Sequence, residues 1–232
     1  MDYTSVKIER NKHVGIIVLN RPEQFNTFNT SLAEELCKAL LELEMDKNVR
    51  VAVIRGAGKA FCTGIDLAEF PGKTQQQYRE WISLMERVVH VIAYMKKPVI
   101  ASAHGYAVAN GAGLIAACDL AIAAEGTKIG ATAINVGLFC MGPAVPLSRS
   151  IGRKRCLELV MTGDMIDARE ADEKSPLALQ MGKEAFYGMS DMEYGKALAY
   201  SNEVFAALCM TEDAKEGVDA FLNKRKPQWK EE

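Results

Sequence analysis

Apolar residues recur along this chain in two rhythms. Val14–Leu19, 49–54, Val99–Ala103 and 120–124 are short, nearly continuous apolar runs and read as strands. Asn20-Arg21-Pro22 breaks the first, and Gly56-Ala57-Gly58 closes the second. Leu32, Leu36, Leu40 and Leu43 repeat at helical spacing behind Ser31-Leu32-Ala33-Glu34, which has the form of a capping box. Residues 75–96 read as a long helix between the Pro71-Gly72 turn and Pro98, and 111–118 as a short one. Strands this apolar, separated by helices, predict sheets covered on both faces. Beyond them the pattern is helical, over 143–151, 153–162, 167–172, 176–187, 191–209 and 211–224, with Ser190 to Glu193 as one start signal. No repeat or linker divides the chain. The reading is an α/β core over 1–165 followed by a helical region over 166–232.

Composition narrows the class. Charged residues make up 25% and hydrophobic ones 49%, values of a globular chain and far from disorder. Twenty-eight basic side chains meet 30 acidic ones, so no basic excess marks a nucleic-acid face. No run approaches the ~18 apolar residues of a membrane span, and the first residues lack the apolar stretch of a signal peptide. The six cysteines are scattered, without a C-x-x-C pair, and there are three histidines. These features predict a cytoplasmic protein with reduced thiols, no membrane contact and no bound metal.

Two nucleotide-like strings fail on chemistry. Gly56-Ala57-Gly58-Lys59-Ala60 resembles the end of a phosphate loop, but Ala60 stands where the magnesium-binding hydroxyl is needed. Gly111-x-Gly113-x-x-Ala116 fits the dinucleotide fingerprint, yet lacks the acidic residue about 20 positions on and lies far from the first strand. More informative are two glycine-containing turns at strand ends, around Gly64-Ile65-Asp66-Leu67 and Ala109-Asn110-Gly111. Backbone N–H groups at such turns and at a helix N-terminus lack partners and suit an anion. Two of them aimed at one point would form an oxyanion hole. The glycines could equally serve tight turns alone.

The wording of several segments then becomes distinctive. Leu19-Asn-Arg-Pro-Glu23 with Asn26, Gly56-Ala-Gly-Lys-Ala-Phe61, Gly64-Ile-Asp-Leu67, Lys97-Pro-Val-Ile-Ala101, His104-Gly-Tyr-Ala107, Cys118-Asp-Leu120 and Leu159-Val-Met-Thr-Gly163 occur in order over nearly the whole chain. This resembles the crotonase (enoyl-CoA hydratase/isomerase) superfamily. The resemblance implies a spiral of ββα turns with two roughly perpendicular sheets, and a homotrimer or dimer of trimers. It implies an acyl-CoA substrate whose thioester enolate is held by the backbone N–H groups of Ile65 and Asn110. It places coenzyme A, as part of the substrate and not as a separate cofactor, along Phe25, Ala60, Ile65, Asp66, Leu67, Ala68 and Asn110. Asn110 stands where the family usually has glycine, and asparagine tolerates unusual backbone angles better than most residues.

The departures concern catalysis. Hydratases of the family use two glutamates, which by this likeness fall at Gly113 and Ala133; neither side chain can move a proton. The single isomerase glutamate falls at about Met141. The segment 134–140 and the ending Phe221-Leu-x-Lys-Arg-Lys-Pro227 resemble the enoyl-CoA hydratase domain-containing branch, which also lacks the pair. Glu86 and His90, four apart and so on one helix face, leave Glu86 as a candidate base, although charged pairs on helices more often serve solvent or packing. Asp66 is expected to bond within its own turn, and His104 to be structural. A family strand and helix are missing at the junction of Asp172 and Glu173; the expectation is that these two residues are not covalent neighbours but join two stretches across residues absent from the sequence, with a true deletion as the alternative.

The resulting expectation is an acyl-CoA-binding enzyme of this family in fatty-acid or related acyl-CoA metabolism. The alternative is a non-catalytic CoA-thioester binding or scaffold protein. An RNA-binding role is disfavoured: residues 32–47 carry Lys38 and Lys47 against five acidic side chains. A serine protease would need a serine beside the turn, and 107–116 contain none.

Overall fold

The structure is a computed structural model that describes residues 3–163, 178, 181, 185, 188–189 and 192–230. The Asp172–Glu173 junction, the predicted 167–172 helix and Ser190 lie outside the described residues. So does most of the predicted 176–187 helix, although 178, 181 and 185 are helical.

The chain forms two compact units. The first comprises Met1–Ile65 and Leu84–Ile129, the second Asp66–Ser83 and Gly130–Glu232. The first is built on a sheet of β1 (Val6–Asn11), β2 (Val14–Leu19), β3 (Val51–Gly56), β4 (Val99–Ala103) and β6 (Leu120–Ala123), in that order. β1 and β2 are an antiparallel hairpin turning at Lys12, whose φ is 52°. The β2–β3, β3–β4 and β4–β6 pairs are parallel. A smaller sheet pairs β5 (Tyr106–Val108) with β7 (Lys128–Gly130).

Helix α1 (Thr30–Met45) buries Leu32, Leu36, Leu40 and Leu43, the face its periodicity predicts. It approaches β2 so closely that a Cβ on Gly15 would lie 2.6 Å from a Leu43 methyl. Its cap is not the expected Ser31. Asn29 accepts from the Leu32 N–H, while the Ser31 hydroxyl turns to Ser5 and Glu35. At the other end, the Lys97 ammonium donates to the carbonyls of Leu43 and Asp46, both at 2.7 Å, satisfying helix-end acceptors. Helix α2 (Gln75–Tyr94) leads to β4, and α3 (Asn110–Ala117) lies between β5 and β6.

One expectation for the sheet fails. Parallel strands should be covered on both faces, but all four residues of β6 are exposed, Leu120 by 61% and Ile122 by 65%. β6 is the sheet's terminal strand, so its outer hydrogen-bonding edge is bare among the described residues.

In the second unit no strand is described after Gly130, and the elements there are a 3₁₀ segment at Thr132–Val136, α4 (Met141–Ile151), α5 (Arg153–Thr162), α6 (Tyr194–Leu208) and α7 (Glu212–Leu222). Glu193 itself caps α6 through the N–H groups of Gly195 and Lys196, and Thr211 caps α7. No described helix is long and apolar enough to cross a membrane. All six cysteines are buried free thiols. Burial pushes Cys62, Cys118, Cys140 and Cys156 up to about 12, so none is a ready thiolate.

Candidate active site

The first glycine turn grows out of β3. After Gly56 the chain loops to Ala60 and then runs as an extended segment beside β5. The Phe61 N–H donates to His104 O at 3.0 Å, Cys62 N–H to Tyr106 O at 3.1 Å, and Val108 N–H to Cys62 O at 3.0 Å. On its other flank, the Phe28 N–H donates to Gly64 O at 2.7 Å, and Phe28 bridges to Ile65. Gly64 adopts φ 97°, a conformation that side chains rarely take.

The second turn ends β5. Ala109 holds φ 50° and ψ −115°, and Asn110 then begins α3. The unusual backbone therefore falls on Ala109 and not on Asn110, whose own φ is not positive. An alanine in this region is strained, and such strain persists only where the surroundings impose it. Here they do: a Cβ on Gly111 would lie 2.2 Å from Cys62 O, so the two segments touch backbone to backbone.

These contacts bring the two turns together. A Cβ on Gly64 would lie 2.9 Å from the Ala109 Cβ and 4.0 Å from the Asn110 nitrogen. Among the described residues the Ile65 N–H has no hydrogen-bond acceptor. The Asn110 N–H, at the first position of α3, has none that its helix could supply. The site thus presents two neighbouring backbone donors, one of them at a helix N-terminus where the dipole favours negative charge.

The other predicted positions are placed as follows. Phe25 has φ 50°, a ring 47% exposed, and a carbonyl that accepts from the Thr63 hydroxyl. Ala60 is fully buried. Asp66 accepts from the Ala68 N–H at 3.2 Å and starts the short 3₁₀ turn of Leu67–Glu69. Glu86 is buried to 4% exposure on α2, whereas His90 is half-buried and stacks on Tyr94 at 5.6 Å. The His104 ring nitrogen is 2.9 Å from Gly58 O. Gly113 is buried within α3, Ala133 is half-buried in the Thr132–Val136 turn, and Met141 is buried at the start of α4. No cluster of metal-ligating side chains occurs among the described residues. Sequence reading passed over Ala109, because nothing marks an alanine for positive φ, and gave Asn26 no role.

A family model described as enoyl-CoA hydratase/isomerase matches residues 9–175. The chain belongs to the enoyl-CoA hydratase/isomerase family. It is 31% identical to the probable enoyl-CoA hydratase echA8 of Mycobacterium bovis, covering 99% of both chains. It is 29% identical to enoyl-CoA hydratase domain-containing protein 3, mitochondrial, of Xenopus laevis, over 99% of this chain and 87% of that protein. Among solved structures, the enoyl-CoA hydratase of Mycobacterium smegmatis matches with a TM-score of 0.68 and 33% identity, over 97% of this chain and 99% of that one. The fold is therefore the crotonase fold, and the expected branch is represented among the relatives.

Proposed function

We propose that this protein binds an acyl-CoA thioester and stabilises its enolate through the N–H groups of Ile65 and Asn110. The observation that carries the reading is the contact between the two turns, which sets a strand-end donor beside a helix-N-terminal donor in a member of a family that acts on acyl-CoA. Removing a proton from the carbon beside a thioester breaks a C–H bond and moves its electron pair toward the carbonyl oxygen. Two preorganised N–H donors stabilise that developing charge, each typically worth about 3–4 kcal/mol. Within the first unit, coenzyme A would run along Phe25, Ala60 and Ile65. Glu86 is the candidate to accept the proton: it is a buried carboxyl in the same unit as both donors.

Hydration is a different matter. Gly113 and Ala133 carry no acid or base, so the water-activating and protonating steps, each commonly worth ~10²–10⁴-fold, lack their usual groups. That absence favours a second reading, a CoA-thioester binding protein that turns nothing over. Deuterium wash-in at the α carbon of butyryl-CoA separates the two. Exchange faster than for the free thioester supports the enolate reading. Binding without exchange supports the scaffold, and no binding removes both.

A further inference from the structure

The buried amide of Asn26 is unusual in its surroundings. Asn26 is 0% exposed and holds φ 56°. Its Oδ1 accepts from the Arg21 N–H at 2.9 Å, and its Nδ2 donates to Ala57 O at 2.9 Å and to Ala60 O at 2.8 Å. Its own N–H donates to Arg21 O at 2.9 Å. Both amide hydrogens are thus committed to carbonyls of the loop that follows β3. No hydrocarbon side chain could satisfy them, and aspartate could satisfy at most one.

That loop is the root of the first donor turn. From Ala60 the chain runs five residues to Ile65, pinned on one side by His104, Tyr106 and Val108. On the other side it is pinned by Asn26 at Ala60 and by Phe28 at Gly64. Apart from the Thr63 hydroxyl on the Phe25 carbonyl and the His104 ring on Gly58 O, the other tethers described above are backbone to backbone and available to many sequences. The Asn26 amide is a side-chain tether, and it sets where the segment starts. Gly105 leaves no slack on the opposite side, since a Cβ there would lie 2.0 Å from Lys59 O. A shift at Ala60 has no room to be absorbed and passes along the extended segment to Ile65.

We infer that Asn26 is a positioning residue for the Ile65 donor: its amide clamps the Ala57–Ala60 loop and so sets the spacing between the Ile65 and Asn110 N–H groups. The inference rests on the proposed enolate chemistry for its consequence in rate, and on geometry alone for its consequence in placement. Misplacement of a catalytic group by about 1 Å costs on the order of a hundredfold.

The test uses the full chain with Asn26→Ala and Asn26→Asp, read by α-deuterium exchange of saturating butyryl-CoA and by ¹⁵N amide shifts of Ile65 and Asn110. All readings are taken where circular dichroism shows a folded protein. Both variants are expected to lose at least about tenfold in exchange at pH 8, with the Ile65 amide moved further than the Asn110 amide. In Asn26→Asp, the protonated carboxyl can donate to one carbonyl, whereas the ionised form sets an anionic oxygen against two. Its exchange rate relative to the unmodified protein should therefore recover as pH falls from 8 to 5, and Asn26→Ala should not follow. If Asn26→Ala fails to fold, the Asn26→Asp titration carries the test. Unmodified exchange and an unmoved Ile65 amide in either folded variant would overturn the inference. If the unmodified protein shows no exchange at all, the enolate reading falls, and the amide shifts alone still decide whether Asn26 places Ile65.

Discussion

Gly64 and Ala109 meet so closely that a methyl group on the first would lie 2.9 Å from the methyl of the second. This contact joins the turn bearing the Ile65 N–H to the turn bearing the Asn110 N–H. Gly64→Ala would have to hold φ 97° and separate the turns at once. It is expected to destabilise the fold by about 2 kcal/mol or more and to abolish α-exchange. Denaturant unfolding and deuterium wash-in check the two parts; full exchange in Gly64→Ala would show that the contact does not set the donors.

Ala109 makes the opposite prediction. Its positive φ costs roughly 1–3 kcal/mol for alanine and little for glycine, which loses about 0.5–1 kcal/mol more chain entropy on folding. Ala109→Gly should therefore stabilise the protein by about 1 kcal/mol, read as a rise in melting temperature. A fall would mean that the turn relaxes in solution.

Hydration should be weak. With Gly113 and Ala133 at the positions proposed for the family's glutamates, crotonyl-CoA hydration is expected to be at least ~10⁴-fold slower than in a two-glutamate relative. Installing Gly113→Glu and Ala133→Glu together should raise the rate. Brisk hydration by the unmodified protein would point to another base, and Glu86→Gln is then the first substitution to assay.

Among the described residues β6 is an apolar strand with an open edge and both faces exposed, and such edges template strand addition between molecules. Ile122→Lys should reduce concentration-dependent self-association in sedimentation velocity and leave the circular dichroism spectrum unchanged. Unaltered sedimentation would indicate that this edge takes no part in association.

The end of the chain carries a pH dependence. Arg225 bonds both oxygens of Glu216, and the Gln228 N–H adds a third bond, so the Glu216 carboxyl is held down at about 2 against an ordinary 4.5. A depressed carboxyl stabilises fully above its unfolded value and loses that contribution as pH falls toward its folded one. The tie should thus weaken between about 4.5 and about 2. Trp229, which would touch a Cβ on Gly137, reports it by fluorescence in a Trp81→Phe background. Glu216→Gln should show the acid-like emission already at neutral pH.

Much of the architecture is local and therefore legible in the residues alone. Val14–Leu19 and Val99–Ala103 are strands because each is a short apolar run between breakers, and Arg153–Thr162 is a helix ending at Gly163. The glycine turns and the ordered motifs likewise point to the family before any coordinates. What the residues could not show depends on which distant backbones meet. β1 buries little beyond Val6, so only its hairpin with β2 makes it a strand. Asn29 rather than Ser31 caps α1 because Ser5 and Glu35, one of them from the chain's beginning, take the serine hydroxyl. The strain falls on Ala109 rather than Asn110 because Cys62 presses against Gly111 and leaves the turn nowhere else to bend. Asn26 gains its role the same way, from carbonyls more than thirty residues away. Periodicity encodes the path of each element, whereas close approach between elements decides which N–H groups end up side by side.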